Sequence, residues 1–194
     1  MNILKGARTY LAGPVDNDAQ ARGWRRSIKE DLLDPFGIIT YDPLVKPYWM
    51  SDNSKINPNL YFKYLYSGEV VKEQMVFDAM KEISAVCLAA AAAADFIVCH
   101  LPRSIFTMGT IVELDRASIS NKPILFHCPE GVPSTWALNQ FSSVETWKET
   151  FFNDWDSLHG HLRKIDSGRV KLDPIKWFSI AQAKDDLEIW KFTT

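Results

Sequence analysis

Apolar positions along the chain fall into two rhythms. Four short runs are apolar or alternating: Arg8-Thr9-Tyr10-Leu11-Ala12, stopped by Gly13-Pro14; Ile38-Ile39-Thr40-Tyr41, ended by Asp42-Pro43; Phe96-Ile97-Val98-Cys99, which runs into a turn-like loop from Leu101 to Met108; and Pro123-Ile124-Leu125-Phe126, followed by a turn from His127 to Pro133. These read as strands. Between them the spacing turns helical. Trp24, Ile28 and Leu32 share one face of a helix over 19–33, which the loop Val15 to Asp18 can cap and Pro35 and Gly37 stop. Its charged face holds Arg22, Arg25, Arg26 and Lys29. Residues 69–94 have helical propensity, as one long helix or two, and end in an alanine run from Ala89 to Ala94 thin enough to lie close to a sheet. Ile111, Leu114, Ala117 and Ile119 suit a short amphipathic helix, and Trp147, Phe151, Trp155, Leu158 and Leu162 a further one.

The order strand, helix, strand, loop, helix, strand, helix, strand, helix predicts an α/β Rossmann-like or flavodoxin-like sandwich with a mostly parallel sheet of about five strands. The expected division is a domain over residues 1–140 and a C-terminal helical, aromatic extension over 141–194. Trp177, Phe178, Trp190 and Phe192 of that extension are expected to dock on the same domain or on a neighbouring subunit. The segment Leu44 to Gly68 has no clear period and is rich in Tyr, Trp, Asn and Pro. Two readings stand side by side for it: a flap over a planar ligand, with Trp49 against the ligand, or an interface loop that caps local packing.

Composition narrows the partners. The 194 residues are 46% hydrophobic with a net charge of −2, which fits a real core and gives no electrostatic case for nucleic acid. Cys87, Cys99 and Cys128 are widely spaced, without metal-ligand spacing, and Cys99 and Cys128 fall in or beside predicted strands as small core residues. A reducing cytoplasm fits this usage best. The apolar block from Ile83 to Val98 is shorter than a membrane span and is interrupted by Asp95.

If the sheet is parallel, the carboxyl ends of the strands bring Tyr10 to Asp18, Tyr41 to Trp49, His100 to Glu113 and His127 to Asn139 to one edge, where open α/β folds bind ligands. There is no GxGxxG, Walker loop or GxSxG elbow, and the histidines His100, His127, His159 and His161 have no metal spacing and no evident acid partner. The expected chemistry is therefore that of carboxylates, without metal or nucleotide cofactor. Glu113 stands out, placed in the first turn of the helix after Gly109, where a ligand can approach the backbone closely. Asp16, Asp42 and Asn139 share the edge, and Asp95 lies near its opposite end. A carboxylate nucleophile in an apolar, aromatic pocket suits glycosyl transfer, whose transition state resembles an oxocarbenium ion.

The motifs Tyr10-Leu11-Ala12-Gly13-Pro14, an arginine-bearing helix, Tyr41-Asp42-Pro43-Leu44, Ala94-Asp95-Phe96-Ile97-Val98, Gly109-Thr110-Ile111-Val112-Glu113-Leu114 and Lys122-Pro123-Ile124-Leu125 occur in that order over about residues 8–140. This resembles the nucleoside 2-deoxyribosyltransferase family, most of all its phage-type members with an Asp-Pro-Leu loop. The resemblance implies that Glu113 is the nucleophile that attacks the anomeric carbon of a deoxyribose, and that Tyr10 supports it. It implies that Gly13 and Pro14 line the base pocket, that Asp95 is structural, and that Asn139 matches an asparagine lent to the sugar by an adjacent subunit. Asp16, Asp42, Trp49, Gly109 and Thr110 complete the candidate substrate site. It further implies a small-molecule nucleoside or nucleotide substrate, a homo-oligomer with shared sites, and no metal, no nucleic-acid partner and no membrane. One departure stands out. Many members carry an aspartate eight residues before the aspartate of the third strand, and here that position is Cys87, a group that cannot supply the same charge at neutral pH. Either Asp78 or Glu82 compensates, or the substrate differs, or the activity is weakened or lost.

Three functions follow. The first is cleavage or exchange of an N-glycosidic bond, by transferase or by hydrolase. The second is a non-catalytic nucleotide-binding or regulatory protein. The third is hydrolysis of another ribosyl-nucleotide bond. A substrate with a 5′-phosphate would call for hydroxyl and basic groups, for which Ser104, Arg103, Ser134, Arg22 and Arg25 are the candidates.

Overall fold

The computed structural model describes residues 2–15, 21–55, 57, 59–105, 107–131 and 144–180. Five parallel strands form one sheet in the order β2-β1-β3-β4-β5, with β1 Arg8–Ala12, β2 Ile39–Tyr41, β3 Phe96–His100, β4 Ile124–His127 and β5 Phe151–Phe152. This is the flavodoxin-like order, whose crossovers reverse between β1 and β3 and open a crevice at the carboxyl ends of those strands. The register pairs Tyr10 with Tyr41 and with Ile97, so β1 lies inside the sheet with β2 and β3 on either side.

Alternation along the strands sends side chains into two cores. Leu11, Phe96, Val98 and Leu125 meet Ile28, Leu32, Leu158 and Leu162 on one side. Tyr10, Ala12, Ile97, Cys99 and Phe126 meet Ala91, Ala94, Leu114 and Ala117 on the other. The second layer comprises α3, Val70–Ala93, and α4, Met108–Ile119. The alanine run serves the close approach: Ala91 and Ala94 are fully buried against the sheet. Cys99 and Cys128 are buried core residues, as the strand pattern implies.

The first layer departs from its expected helix. The helix α1 covers only Ala21–Ser27 and widens into a π-helical turn at Ile28–Leu33, closed by a 3-10 turn at Asp34–Phe36. The wider turn directs Ile28, Leu32 and Leu33 together into the core. The segment 44–68 is not irregular throughout: a 3-10 turn at Asn53–Lys55 and the helix α2, Asn59–Leu65, organise it. The expected helix through Trp147 and Leu162 is in fact three elements: α5, Val144–Thr150, then β5, then α6, Trp155–Asp166. Asp154 caps α6 by accepting from the Ser157 N–H at 2.7 Å. Trp177 and Ile180 then bury against the α1 side of the sheet, Trp177 with its ring centroid 5.6 Å from that of Phe96. Trp190 and Phe192 lie outside the described residues. Among the described residues no helix is long and apolar enough to cross a membrane.

Candidate functional site

The site starts from Tyr10, the middle residue of β1 and almost fully buried. Its hydroxyl donates to Oε1 of Glu113 at 2.5 Å. Glu113 comes from α4, though not from its first turn. The helix begins at Met108 with Thr107 as its extended N-cap residue, so Glu113 is one turn further in, and no acidic residue occupies the first turn. The free N–H groups of the helix start therefore do not hold this carboxylate; Tyr10 does. The third member is Cys87 of α3, whose thiol interacts with the Tyr10 hydroxyl and feels the Glu113 charge.

Burial sets the electrostatics. Removal from water pushes the Glu113 carboxyl up to about 7, against the opposing pull of the Tyr10 hydrogen bond and the positive charges of Arg25 and Lys46. Burial also raises Tyr10, and the Glu113 carboxylate beside it raises it further, so the phenol stays a donor. Burial likewise raises Cys87, which remains a neutral thiol. The position where relatives of the resembled family carry an aspartate is thus an uncharged wall of this site. Neither proposed substitute takes over: Glu82 is bound by Ser51 and Ser54, and Asp78 accepts from Gln74 at 2.9 Å.

A cavity of about 240 Å³ opens beside Tyr10 and Cys87. Its walls are Tyr41, Asp42, Lys46 and Met50 from the end of β2 and the loop after it, and Ile83 and Val86 from α3. The Glu82 carboxylate fixes that loop from α3, accepting from the backbone N–H of Ser51 at 3.0 Å and from both serine hydroxyls. Of the aromatic segment, Met50 is buried and lines the cavity, while Trp49 is 60% exposed and does not. Asp42 lines it as well, accepts from the Leu44 N–H at 2.9 Å, and pairs with Arg25 at 3.5 Å.

Arg25 is the residue that helical spacing misplaced. It is fully buried rather than on a charged face. Its Nη1 donates to the carbonyls of Pro14 at 2.8 Å and Ala21 at 2.9 Å, and its Nη2 to that of Gly13 at 2.8 Å. One guanidinium thereby closes the turn after β1 onto the start of α1. Gly13 lets the turn pass: a Cβ there would meet Trp24 at 2.7 Å and the His100 carbonyl at 2.9 Å. Gly13→Ala is expected to destabilise the fold by about 2–3 kcal/mol, because a backbone carbonyl cannot move aside as a side chain can. An unchanged urea midpoint would show that the turn is not so confined.

The other expected residues are spread out. Gly13 and Pro14 are buried under Arg25, and Thr110 is buried in α4. Gly109 is exposed, with open space where a Cβ would stand, so nothing in the fold requires glycine there. Asp16, Asn139 and Ser134 lie outside the described residues. Asp95 sits at the amino end of β3, where Arg8 binds it twice, at 3.0 and 3.2 Å, and its backbone N–H at 2.8 Å. Burial raises that carboxyl, but the Arg8 hydrogen bonds outweigh burial and hold it below the usual range.

On the α1 side of the same edge, His100 and His127 face one another, Nδ1 to Nδ1 at 2.8 Å, with Trp155 stacked on His127 at 3.7 Å. Burial, and after it the neighbouring His100, lowers His127 to about 4, so that ring is held neutral. Among the described residues no group of three His, Cys, Asp or Glu side chains has metal-binding geometry.

No protein-family model matches the chain, and no curated protein does. Solved structures similar to it include a 2-deoxyribosyltransferase from Bacillus psychrosaccharolyticus, with 20% identity, 79% of this chain and 90% of that one covered, and a TM-score of 0.49. A conserved protein from Enterococcus faecalis V583 shares 14% identity over 82% of this chain and 99% of its own, with a TM-score of 0.49. A CMP N-glycosidase, BcmB, from Clostridium botulinum shares 16% over 82% and 97%, with a TM-score of 0.38. What this chain has in common with the nucleoside 2-deoxyribosyltransferase family is the order of its motifs, from Tyr10-Leu11-Ala12-Gly13-Pro14 to Gly109-Thr110-Ile111-Val112-Glu113, carried on one parallel α/β sheet.

Proposed function

We propose that the protein cleaves or exchanges the N-glycosidic bond of a nucleoside or nucleotide, with Glu113 as the nucleophile. The single observation behind this reading is the half-buried Glu113 carboxylate held by the hydroxyl of Tyr10, a residue that itself lines a largely apolar cavity. In its ionised form Glu113 attacks C1′ of the sugar. The C1′–N bond breaks, and the base leaves with the electron pair and takes up a proton. A glycosyl ester on Glu113 remains, and water or a second base resolves it. Tyr10 shares its hydrogen bond with the carboxylate before the attack and leaves one oxygen free for C1′. The apolar walls exclude water, which strengthens the attraction between the carboxylate and a cationic sugar.

Incubation with deoxynucleosides and their monophosphates, with and without a free acceptor base, tests this. Base release without acceptor indicates a hydrolase, and release only with acceptor a transferase. Binding without turnover would favour the second reading, a non-catalytic nucleotide-binding homologue. The observation on that side is Cys87, a neutral thiol where the resembled family has a charge.

The proposal includes self-association. Phe62 of α2, Tyr66 just after it, Val70, Val71 and Phe77 of α3, and Ile111 of α4 expose apolar side chains on neighbouring helices, a kind of surface that a second copy could cover. Light scattering that gave a monomer at micromolar concentration would remove this part.

A further inference from the structure

The loop that walls the cavity is tied down from α3. Within residues 42–50 the hydrogen bonds are local turns: the Leu44 N–H donates to the Asp42 carboxylate at 2.9 Å, the Val45 N–H to the Asp42 carbonyl at 3.0 Å, and the Met50 N–H to the Pro47 carbonyl at 3.2 Å. These bonds shape the loop without fixing it to a neighbour. The tie follows directly after them. Glu82 accepts from the Ser51 N–H at 3.0 and 3.2 Å, and from the hydroxyls of Ser51 and Ser54. Ser54 adds a long bond to the Ala79 carbonyl at 3.4 Å. One carboxylate thus gathers three donors, and bonds to a charged acceptor are the stronger kind. The same bonds, with a smaller pull from Lys55, hold the Glu82 carboxyl below the usual range, so the tie persists across neutral pH.

The loop carries a charge into the site. Lys46 lines the same cavity as Tyr10 and Cys87, the two residues that adjoin Glu113. Its ammonium favours the ionised form of Glu113 and also acts on Cys87. The other groups that face Glu113 belong to the body of the fold: the Tyr10 hydroxyl from β1, Arg25 from α1, and the neutral thiols of Cys87 from α3 and Cys99 from β3. Asp42 also lines the cavity, with its charge paired to Arg25. Of the two cations that act on Glu113, Arg25 is set in the core and Lys46 rides on the loop. Tyr10 and Cys87, rather than Glu113, form the cavity wall here. The body of the fold therefore keeps water from the carboxylate, and the loop contributes charge.

Building on Glu113 as the nucleophile proposed above, we infer that Glu82 is a positioning residue: it fastens the loop to α3, holds the Lys46 ammonium over the site, and so keeps Glu113 charged. Release of the Glu82 bonds lets the loop and Lys46 move off together. The carboxylate then loses a cation while Tyr10 and Cys87 still shield it, and it shifts towards its protonated, inactive form. An open loop leaves the nucleophile off, and closure readies it. Glu82 touches no reacting atom. Its effect runs along the backbone from Ser51 back to Lys46. Water admitted by an open loop would act the other way and lower the Glu113 midpoint, so the sign of the shift separates the two effects.

Carbon NMR on protein with labelled glutamate side chains titrates Glu113 directly, its resonance assigned by its loss in Glu113→Gln. This reads the charge without any need for turnover. The midpoint, about 7 in the native protein, is expected to rise by about half a pH unit or more in Lys46→Met, roughly a threefold change in the ratio of charged to protonated carboxyl. Lys46→Arg should return it most of the way. Glu82→Gln should raise it nearly as far as Lys46→Met does. Ser51→Ala should raise it less, because the Ser51 N–H and the Ser54 hydroxyl still bind Glu82. The double variant Lys46→Met with Glu82→Gln should go no further than Lys46→Met alone, since both remove one and the same interaction. A Glu82→Gln shift that is absent, downward, or additive with that of Lys46→Met would overturn the inference, as would a Lys46→Met midpoint equal to the native one. A merely structural role for Glu82 would lower the urea midpoint and leave the titration in place. The pH profile of kcat/KM should move with each variant. Should no nucleoside or nucleotide be turned over, the activity proposal fails separately, and the titrations still decide the link from Glu82 to Glu113.

Discussion

Glu113→Gln is expected to reduce turnover about a thousandfold or more and, at the same time, to make the protein harder to unfold. The loss follows from chemistry. An amide keeps the shape and still accepts the Tyr10 hydrogen bond, but it cannot form a glycosyl ester. The gain follows from electrostatics. In an unfolded chain the carboxyl ionises near 4.5; in the folded protein burial moves it to about 7. Between those values the folded state keeps a proton that the unfolded state has released. The cost of the carboxylate to the fold is thus absent below about pH 4.5 and complete above about pH 7. At about 1.4 kcal/mol per pH unit the full cost is on the order of 2–4 kcal/mol. For a chain of this size Glu113→Gln should raise Tm at pH 8 by roughly 5–10 °C, and the gain should vanish by pH 4. The same ionisation governs activity: kcat/KM of the native protein should climb as pH rises through about 7, since only the carboxylate attacks. Thermal melts at pH 4 and pH 8 with initial rates from pH 5 to 9 check both arms. A variant that keeps activity, or that is less stable at pH 8, rules out Glu113 as a buried nucleophile.

Much of this arrangement is legible in the sequence, and the exceptions have physical causes. The first four strands are bounded by residues that stop strands by their own geometry, and their apolar runs allow no other face, so β1 through β4 appear within a residue or two of their structural limits. β5 does not appear. It is two residues long, and Phe151 and Phe152 sit inside a series of aromatics at helical spacing, so local pattern gives no sign that Phe126 and His127 recruit them to the sheet edge. The start of α4 is displaced in the reading for a related reason. Gly109 looks like a helix boundary, but its backbone is helical and Thr107 is the residue left extended, which moves Glu113 into the second turn. The contact between Tyr10 and Glu113 spans 103 positions. The parallel topology brings their two stretches to one edge in advance, and only the motif resemblance pairs these two residues, because spacing carries no information over such a distance.

Arg25→Met is expected to destabilise the protein by about 3–5 kcal/mol, the scale of breaking a buried ion pair by removing one partner. Helical spacing assigns Arg25 to the same surface as Arg22 and Arg26, and both of those are exposed. Arg25 instead turns inward, since the chain leaving β1 presents the carbonyls of Gly13 and Pro14 to the interior with no strand to take them. A fork of fixed donors can bind these carbonyls, that of Ala21 and the Asp42 carboxylate at once; methionine of similar volume fills the space and binds none. Arg25→Lys keeps a charge but not the fork, and should recover only part of the loss. The effect extends to the site. Arg25 is one of the two cations that hold the Glu113 carboxyl down against burial, so in either variant that folds, the midpoint of the activity profile should move with the charge: upward in Arg25→Met, and less so in Arg25→Lys. Urea midpoints, together with the pH dependence of kcat/KM, separate this coupling from a merely structural loss, which would lower the amount of folded protein without moving the profile. Equal stability of all three proteins would mean that the turn after β1 is closed by something other than this guanidinium.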